Sequence, residues 1–98
     1  MSNEGTLTAL RAKIDAIDRE LLHLINRRAD LALATTPVKQ QLTGGAQATF
    51  QPEREQQILK ELCQLNKGPL KDKQIQLIFK TIIRICREQQ MPDSPRQD

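Results

Sequence analysis

The sequence predicts an all-α fold of three helices, and two observations carry that prediction. Apolar residues recur at helical spacing in three separate stretches, and none of these shows the strict alternation of a strand. Aromatic residues make up only 2% of the chain, which leaves leucine and isoleucine to build a core. We predict a single domain over residues 1–98. Within it we expect helices over about 6–39, 52–66 and 71–90, a loop over 40–51 and a frayed tail over 91–98.

The first helix carries an apolar stripe whose members recur in alternating steps of three and four. They are Leu7, Leu10, Ile14, Ile17, Leu21, Leu24, Leu31 and Val38, with Arg28 and Thr35 at the two remaining positions of the same spacing. A helix of about 32 residues is roughly 48 Å long, whereas a compact domain of this size has a radius of gyration near ~13 Å. Because the helix projects beyond such a globule, its apolar face needs a partner, most simply a second copy of the chain. The stripe therefore predicts a homodimer.

Proline punctuates the predicted helices. Pro37 removes one backbone hydrogen bond and disfavours helical geometry at Thr36, so we expect the first helix to kink or end early there. Pro52 suits the first turn of the second helix. Gly68-Pro69 follows the end of that helix, and Asp72 is the expected cap of the third.

Composition argues against several classes of protein. The net charge of +3 is spread along the chain, without the concentrated basic stripe and stacking aromatics typical of a nucleic-acid binder. No apolar run reaches membrane-spanning length, and the polar start is unlike a signal peptide. Cys63 and Cys86 lack metal-ligand spacing and are interpreted as reduced thiols of a cytoplasmic protein. We expect no metal, membrane or nucleic acid.

Two cations occupy the apolar face of the first helix. Arg28 stands in the stripe between Leu24 and Leu31, and Lys39 returns to nearly the same face about 16 Å further along. Because inward cations are costly without a counter-charge, the pattern indicates a buried anionic ligand. Arg11 points about 100° away and is better placed to serve a neighbouring chain. The alternative for Arg28 is a register-setting arginine in a helical dimer.

Polar residues of the other two helices extend the candidate site. Arg54 and Glu55 open the second helix, where solvated first-turn charges are also common. Gln90 continues an apolar line on the third helix formed by Phe79, Ile83 and Cys86. Its alternative is an exposed helix end. Periodicity thus supports an anion-binding helical dimer without identifying the anion.

Seven short motifs stand in order along the three predicted helices. They are Leu10-Arg11, Ile14-Asp15-Ala16-Ile17-Asp18, Leu21-Leu22, Arg27-Arg28-Ala29-Asp30-Leu31-Ala32, Pro52-Glu53-Arg54-Glu55, Asn66-Lys67-Gly68-Pro69-Leu70 and Ile78-Phe79-Lys80-Thr81-Ile82-Ile83. Together they resemble the all-helical chorismate mutases, including the mutase domain of bifunctional mutase–prephenate dehydratases. The similarity covers about residues 7–90 and ends at Gln90, at the spacing of the family's C-terminal glutamine.

The resemblance implies a cytoplasmic isomerase of aromatic amino-acid biosynthesis. Such an enzyme is an intertwined homodimer of three-helix chains, and each active site uses residues of both chains. It converts chorismate, a dianion, to prephenate by a Claisen rearrangement without metal or organic cofactor. Carried over by motif, Arg28 binds one substrate carboxylate, and Arg11 reaches into the partner's site to bind another.

The resemblance also implies roles for the remaining site residues. Lys39 and Gln90 hydrogen-bond the ether oxygen of the substrate, and Glu55 holds the ring hydroxyl. Arg54 orders the pocket. Cys86 stands where the family places a small residue beside the ring carboxylate. Gln51, at the end of a long loop, stands where some members carry an aspartate.

Three alternatives remain open from the sequence. An isochorismate–pyruvate lyase or a 4-amino-4-deoxychorismate mutase keeps the same fold and the same carboxylate-binding arginines. Glu55 favours a ring hydroxyl but also accepts an amino group. A non-catalytic helical dimerisation or regulatory module is a different class, which Pro37 favours because it threatens the placement of Lys39. A basic nucleic-acid-binding helix bundle is the weakest of the three alternatives.

Overall fold

Three helices form the part of the chain that the computed structural model describes, residues 3–43 and 51–90. They are α1 (Asn3–Thr43), α2 (Pro52–Leu65) and α3 (Asp72–Gln89). These residues contain no strand, so the prediction of an all-α fold of three helices is confirmed. The predicted tail over 91–98 and most of the predicted loop lie outside the described residues.

The first helix, α1, is longer than the sequence predicted. It spans 41 residues, begins before residue 6 and continues through Pro37 to Thr43. Of the two expectations at Pro37, a kink or an early end, the early end is wrong, and so is a loop that begins at residue 40. The kink stays a prediction. Proline removes one N–H, the one that would bond to the carbonyl of Leu33, and its ring crowds that carbonyl, yet the helix continues on both sides. Contacts of Thr36 and Lys39 with α3 help to hold the helix on both sides of the proline.

The second helix, α2, begins and ends close to the predicted bounds. Pro52 occupies its first turn, and the N–H of Glu55 donates to the carbonyl of Gln51 at 3.1 Å. Asn66 follows the helix and organises the turn, because its Nδ2 donates to the carbonyl of Leu70 at 2.8 Å and its Oδ1 accepts from the N–H of Gly68 at 3.1 Å. Gly68 adopts a φ of 79°, a conformation that favours glycine.

The third helix, α3, packs against both of the others. Lys71, not Asp72, is its N-cap, and the backbone N–H of Lys71 donates to Gln74 Oε1 at 2.9 Å. The predicted cap is wrong because the Asp72 carboxylate accepts instead from Asn66 Nδ2 at 2.9 Å, which ties the start of α3 to the preceding turn. The buried side chains of the described residues, Ile83 and Cys86, both belong to α3.

A single chain leaves the apolar stripe of α1 uncovered. Leu10, Ile14 and Ile17 are 52%, 55% and 56% exposed. The radius of gyration is 17.7 Å, against the ~13 Å of a compact domain of this length, and the longest dimension is 63 Å. None of the described helices is long and apolar enough to cross a bilayer.

Candidate ligand-binding site

A cavity of about 730 Å³ lies where the three helices meet. The segment of α1 from Arg28 to Lys39 forms one wall, and the end of α3 from Ile83 onward forms another, together with Gln90, the C-cap of that helix. The start of α2 closes one side. The lining residues are Arg28, Leu31, Ala32, Ala34, Thr35, Val38, Lys39, Gln51, Arg54, Glu55, Ile58, Ile83, Cys86, Arg87 and Gln90.

Lys39 and Gln90 meet across this cavity. The Lys39 ammonium donates to Gln90 Oε1 at 3.0 Å, and the Thr36 hydroxyl donates to the same oxygen at 3.2 Å. Lysine has donors and no acceptor, so the amide of Gln90 must turn its oxygen toward α1. The two N–H donors of the Gln90 amide are therefore directed away from Lys39. Side chains 51 positions apart are held together at one end of the cavity.

Glu55 and Arg87 form a second contact across the cavity wall. Arg87 Nη1 donates to Glu55 Oε1 at 2.6 Å, and the two side chains are 22% (Glu55) and 25% (Arg87) exposed. Glu55 lies in the first turn of α2 and Arg87 in the last turn of α3, so each charge also stands at the helix end where the dipole favours it. The ion pair thus joins the two helices beside the cavity.

The remaining lining combines positive charge with apolar walls. Arg28, half-buried on α1, faces the cavity from one side, and Arg54, exposed on α2, lies at its edge. Ile58, Ile83 and Cys86 contribute apolar surface, and Cys86 is only 4% exposed. Among the described residues of the lining, cationic side chains outnumber carboxylates. Such a cavity is suited to a small organic anion whose body is partly apolar.

The structure brings together every predicted site residue except Arg11. Arg28, Lys39, Gln51, Arg54, Glu55, Cys86 and Gln90 all line the cavity. Arg11 is exposed on α1, seventeen positions before Arg28 and so about 26 Å away along the helix. It lines neither this cavity nor the second one, which α2 and α3 form.

Sequence reasoning missed Thr36 and Arg87. Thr36 stands three positions before Lys39, and Arg87 three positions before Gln90, so each shares a helix face with a predicted residue. That spacing was the available signal. Thr36 was considered only for the effect of Pro37 on its backbone, and its hydroxyl was not assigned a role. Arg87 was not assigned because it lies off the apolar line through Cys86 and Gln90.

In the described part of the chain, three helices surround a cavity whose lining is cationic and partly apolar. A family model described as chorismate mutase type II matches residues 10–91. The chain belongs to the type II chorismate mutase family, as its motifs predicted.

Two curated relatives are bifunctional enzymes whose names include chorismate mutase. The chain is 39% identical over 94 residues to a bifunctional chorismate mutase/prephenate dehydratase of Pseudomonas aeruginosa, with 94% of the chain and 26% of that protein covered. It is 38% identical over 82 residues to the corresponding protein of Neisseria gonorrhoeae, covering 84% of the chain and 21% of that protein. The chain thus spans about a quarter or less of these curated relatives' length.

A solved structure shares the fold over almost its whole length. The chain superimposes on chorismate mutase (form II) from Thermus thermophilus with a TM-score of 0.80 and 28% sequence identity. The superposition covers 92% of this chain and 99% of that one.

Proposed function

We propose that this chain is a chorismate mutase that converts chorismate to prephenate in the cavity between its three helices. The observation that carries the proposal is the contact of Lys39 with Gln90 in a partly apolar cavity that Arg28 also lines. The family and its named relatives support the same activity. We further propose that residues 1–98 form one mutase domain and that it acts in the cytoplasm on the pathway to aromatic amino acids.

The chemistry needs no nucleophile and no general base, because the rearrangement is unimolecular and pericyclic. The protein has to hold a compact conformer of the substrate and stabilise negative charge on the ether oxygen as its C–O bond breaks. We assign the second task to Lys39 and Gln90. Lys39 supplies a cation, and the Gln90 amide presents its N–H donors away from Lys39, where an acceptor oxygen can receive them. These interactions strengthen as charge develops, so they favour the transition state over the substrate.

The first task, holding the dianion, falls to arginines and to Glu55. Arg28 would bind one carboxylate of the substrate, while Arg54 orders the cavity edge. Glu55 would accept a hydrogen bond from the ring hydroxyl. Cys86 would leave room beside the ring carboxylate. Gln51, which is half-buried and lines the cavity, would contact the ligand from the start of α2.

We propose that the second carboxylate is bound by Arg11 of a second copy of the chain. The uncovered stripe of α1 supports a dimer, because about half of each large side chain in it remains exposed in one chain. Arg11 follows Leu10 of that stripe and lies far from the cavity of its own chain. In an intertwined dimer the exposed stripe is covered and each cavity gains an arginine from its partner.

An activity assay tests this proposal: purified protein is mixed with chorismate, the loss of chorismate absorbance is followed, and prephenate is identified as the product. We expect turnover in the parent protein and a fall in kcat/KM of about 100-fold or more in Arg28→Ala. Arg27→Ala is the matched control, since Arg27 is adjacent and does not line the cavity. It should retain activity within about twofold, as substitutions away from a site usually do.

A folded dimer without turnover would contradict the proposal. Equal losses in Arg27→Ala and Arg28→Ala would contradict the assigned role of Arg28. Isochorismate and 4-amino-4-deoxychorismate, assayed in parallel, separate mutase activity on chorismate from the related activities of the same fold.

A further inference from the structure

Arg87, which forms an ion pair with Glu55, is the charged residue of the cavity lining to which the proposed mechanism assigns no role. Glu55 is the one carboxylate among the described residues of the lining, and its Oε1 accepts from Arg87 Nη1 at 2.6 Å. Both side chains are about three-quarters buried, so neither is a freely solvated surface charge. They reach the cavity from different helices, which fixes the distance between them through the packing of α2 on α3.

A carboxylate inside an anion-binding cavity raises an electrostatic problem. The proposed ligand carries two negative charges, and a neighbouring negative charge in a partly desolvated cavity opposes its binding. Yet a carboxylate is a strong acceptor for a ring hydroxyl. The cavity therefore needs the acceptor strength of Glu55 without the full repulsion from its charge.

We propose that Arg87 is a positioning residue that makes Glu55 compatible with a dianionic ligand. It holds the carboxylate by Oε1, offsets its charge and leaves Oε2 as the acceptor for the ring hydroxyl. This inference rests on the proposed mutase function and adds a residue that determines how the ligand's hydroxyl and charge are recognised together. Arg87 acts through Glu55 and is not a catalytic residue.

A double-mutant cycle tests the inference, using Arg87→Met and Glu55→Gln singly and together. In the parent background we expect Arg87→Met to raise the KM for chorismate about five- to tenfold, with a smaller change in kcat, because Glu55 then repels the ligand. In the Glu55→Gln background the same substitution should change KM by less than about twofold, since no negative charge is left to offset. A purely structural role of Arg87 would lower the melting temperature and leave the KM of the folded protein unchanged, so the readout of the cycle is KM.

Two further variants keep the test sound. Arg84→Met removes the same charge from an exposed position of α3 outside the cavity and should leave KM within about twofold of the parent. Arg87→Lys keeps the charge, with a compact ammonium in place of the guanidinium fork, and should raise KM less than Arg87→Met does. Thermal unfolding of every variant accompanies the kinetics, and Arg87→Lys supplies the comparison if Arg87→Met unfolds.

Equal effects of Arg87→Met in both backgrounds would overturn the inference, as would a KM unchanged by Arg87→Met or a KM raised as much by Arg87→Lys as by Arg87→Met. The proposed function fails in a different way. If the parent protein binds chorismate in a calorimeter without turnover, the mutase activity is refuted, while dissociation constants still complete the cycle and decide the role of Arg87. If the parent protein does not bind chorismate, both are refuted.

Discussion

The amide oxygen of Gln90 accepts two hydrogen bonds, and both donors come from the last turns of α1. Lys39 supplies a charged donor, and Thr36 a neutral one on the same helix face. Threonine has a stiff side chain, so its hydroxyl restrains the amide more than a flexible lysine can alone. Thr36 therefore orients the group to which we assign stabilisation of the ether oxygen.

We expect Thr36→Val to lower kcat about three- to tenfold and to leave KM nearly unchanged, which corresponds to losing one hydrogen bond worth about 1 kcal/mol. The substitution conserves shape and removes the hydroxyl. Thr81→Val is the control, because Thr81 donates to the carbonyl of Leu77 within α3 and lies outside the cavity. Steady-state kinetics on both variants checks the prediction. A similar kcat in the two variants would contradict an orienting role for Thr36.

At the residue scale, periodicity predicted which side chains share a face but not what that face meets. Arg28 and Lys39 stood out because cations on an apolar stripe conflict with their neighbours. Glu55 and Gln90 were assigned by the resemblance rather than by any such conflict. Thr36 and Arg87 could not be assigned, since their partners lie on other helices and the angles between helices are absent from a one-dimensional pattern.

At the scale of elements, Pro37 shows how packing outweighs local preference. The helix continues through a residue that usually interrupts it, at the cost of one backbone hydrogen bond and a crowded preceding turn. Contacts on both sides of the proline, from Thr36 and Lys39 to Gln90, oppose that cost.

Because α1 is helical on both sides of Pro37, we expect Pro37→Ala to stabilise the protein by about 1–3 kcal/mol. Pro52→Ala is the matched control: Pro52 occupies the first turn of α2, where proline is tolerated, so its replacement should change stability by less than about 1 kcal/mol. Denaturant unfolding at one fixed protein concentration measures both. If Pro37→Ala leaves the free energy of unfolding unchanged or lowers it, the proline does not strain α1.

The bounds of α2 were predictable because sequence punctuation and structure agree there. Proline at the first turn and glycine after the last one act locally. The far end of α1 and the cap of α3 were not predictable for the opposite reason. Both depend on contacts made elsewhere in the fold, with Gln90 in one case and with Asn66 in the other.

At the scale of the whole molecule, the length of α1 gives the strongest argument for the proposed dimer. The spacing of the stripe alone predicts a partner, and the side chains of the stripe remain about half exposed in the folded chain. The cavity, by contrast, was not predictable as a volume, because it depends on α3 packing against both α1 and α2.

A mixing experiment tests whether two chains share each site. If Arg11 and Arg28 serve the same cavity from different chains, Arg11→Ala and Arg28→Ala proteins should each be nearly inactive. Refolded together in equal amounts, they should regain about a quarter of parental activity, because about half the dimers are mixed and each mixed dimer has one intact site. Absence of recovery in dimers shown to have exchanged chains would mean that both arginines act from one chain.

The buried side chains of α3 have one more consequence. Ile83 and Cys86 are the core of the described chain, and both also form the cavity wall. A bound ligand would therefore cover these two core side chains, and its binding would raise the free energy of unfolding. At a ligand concentration of about a hundred times Kd, the linkage is worth about 2.7 kcal/mol, a large share of the stability of a small domain. The concentration of the ligand would then affect the resistance of the protein to unfolding and proteolysis, as well as its rate of catalysis.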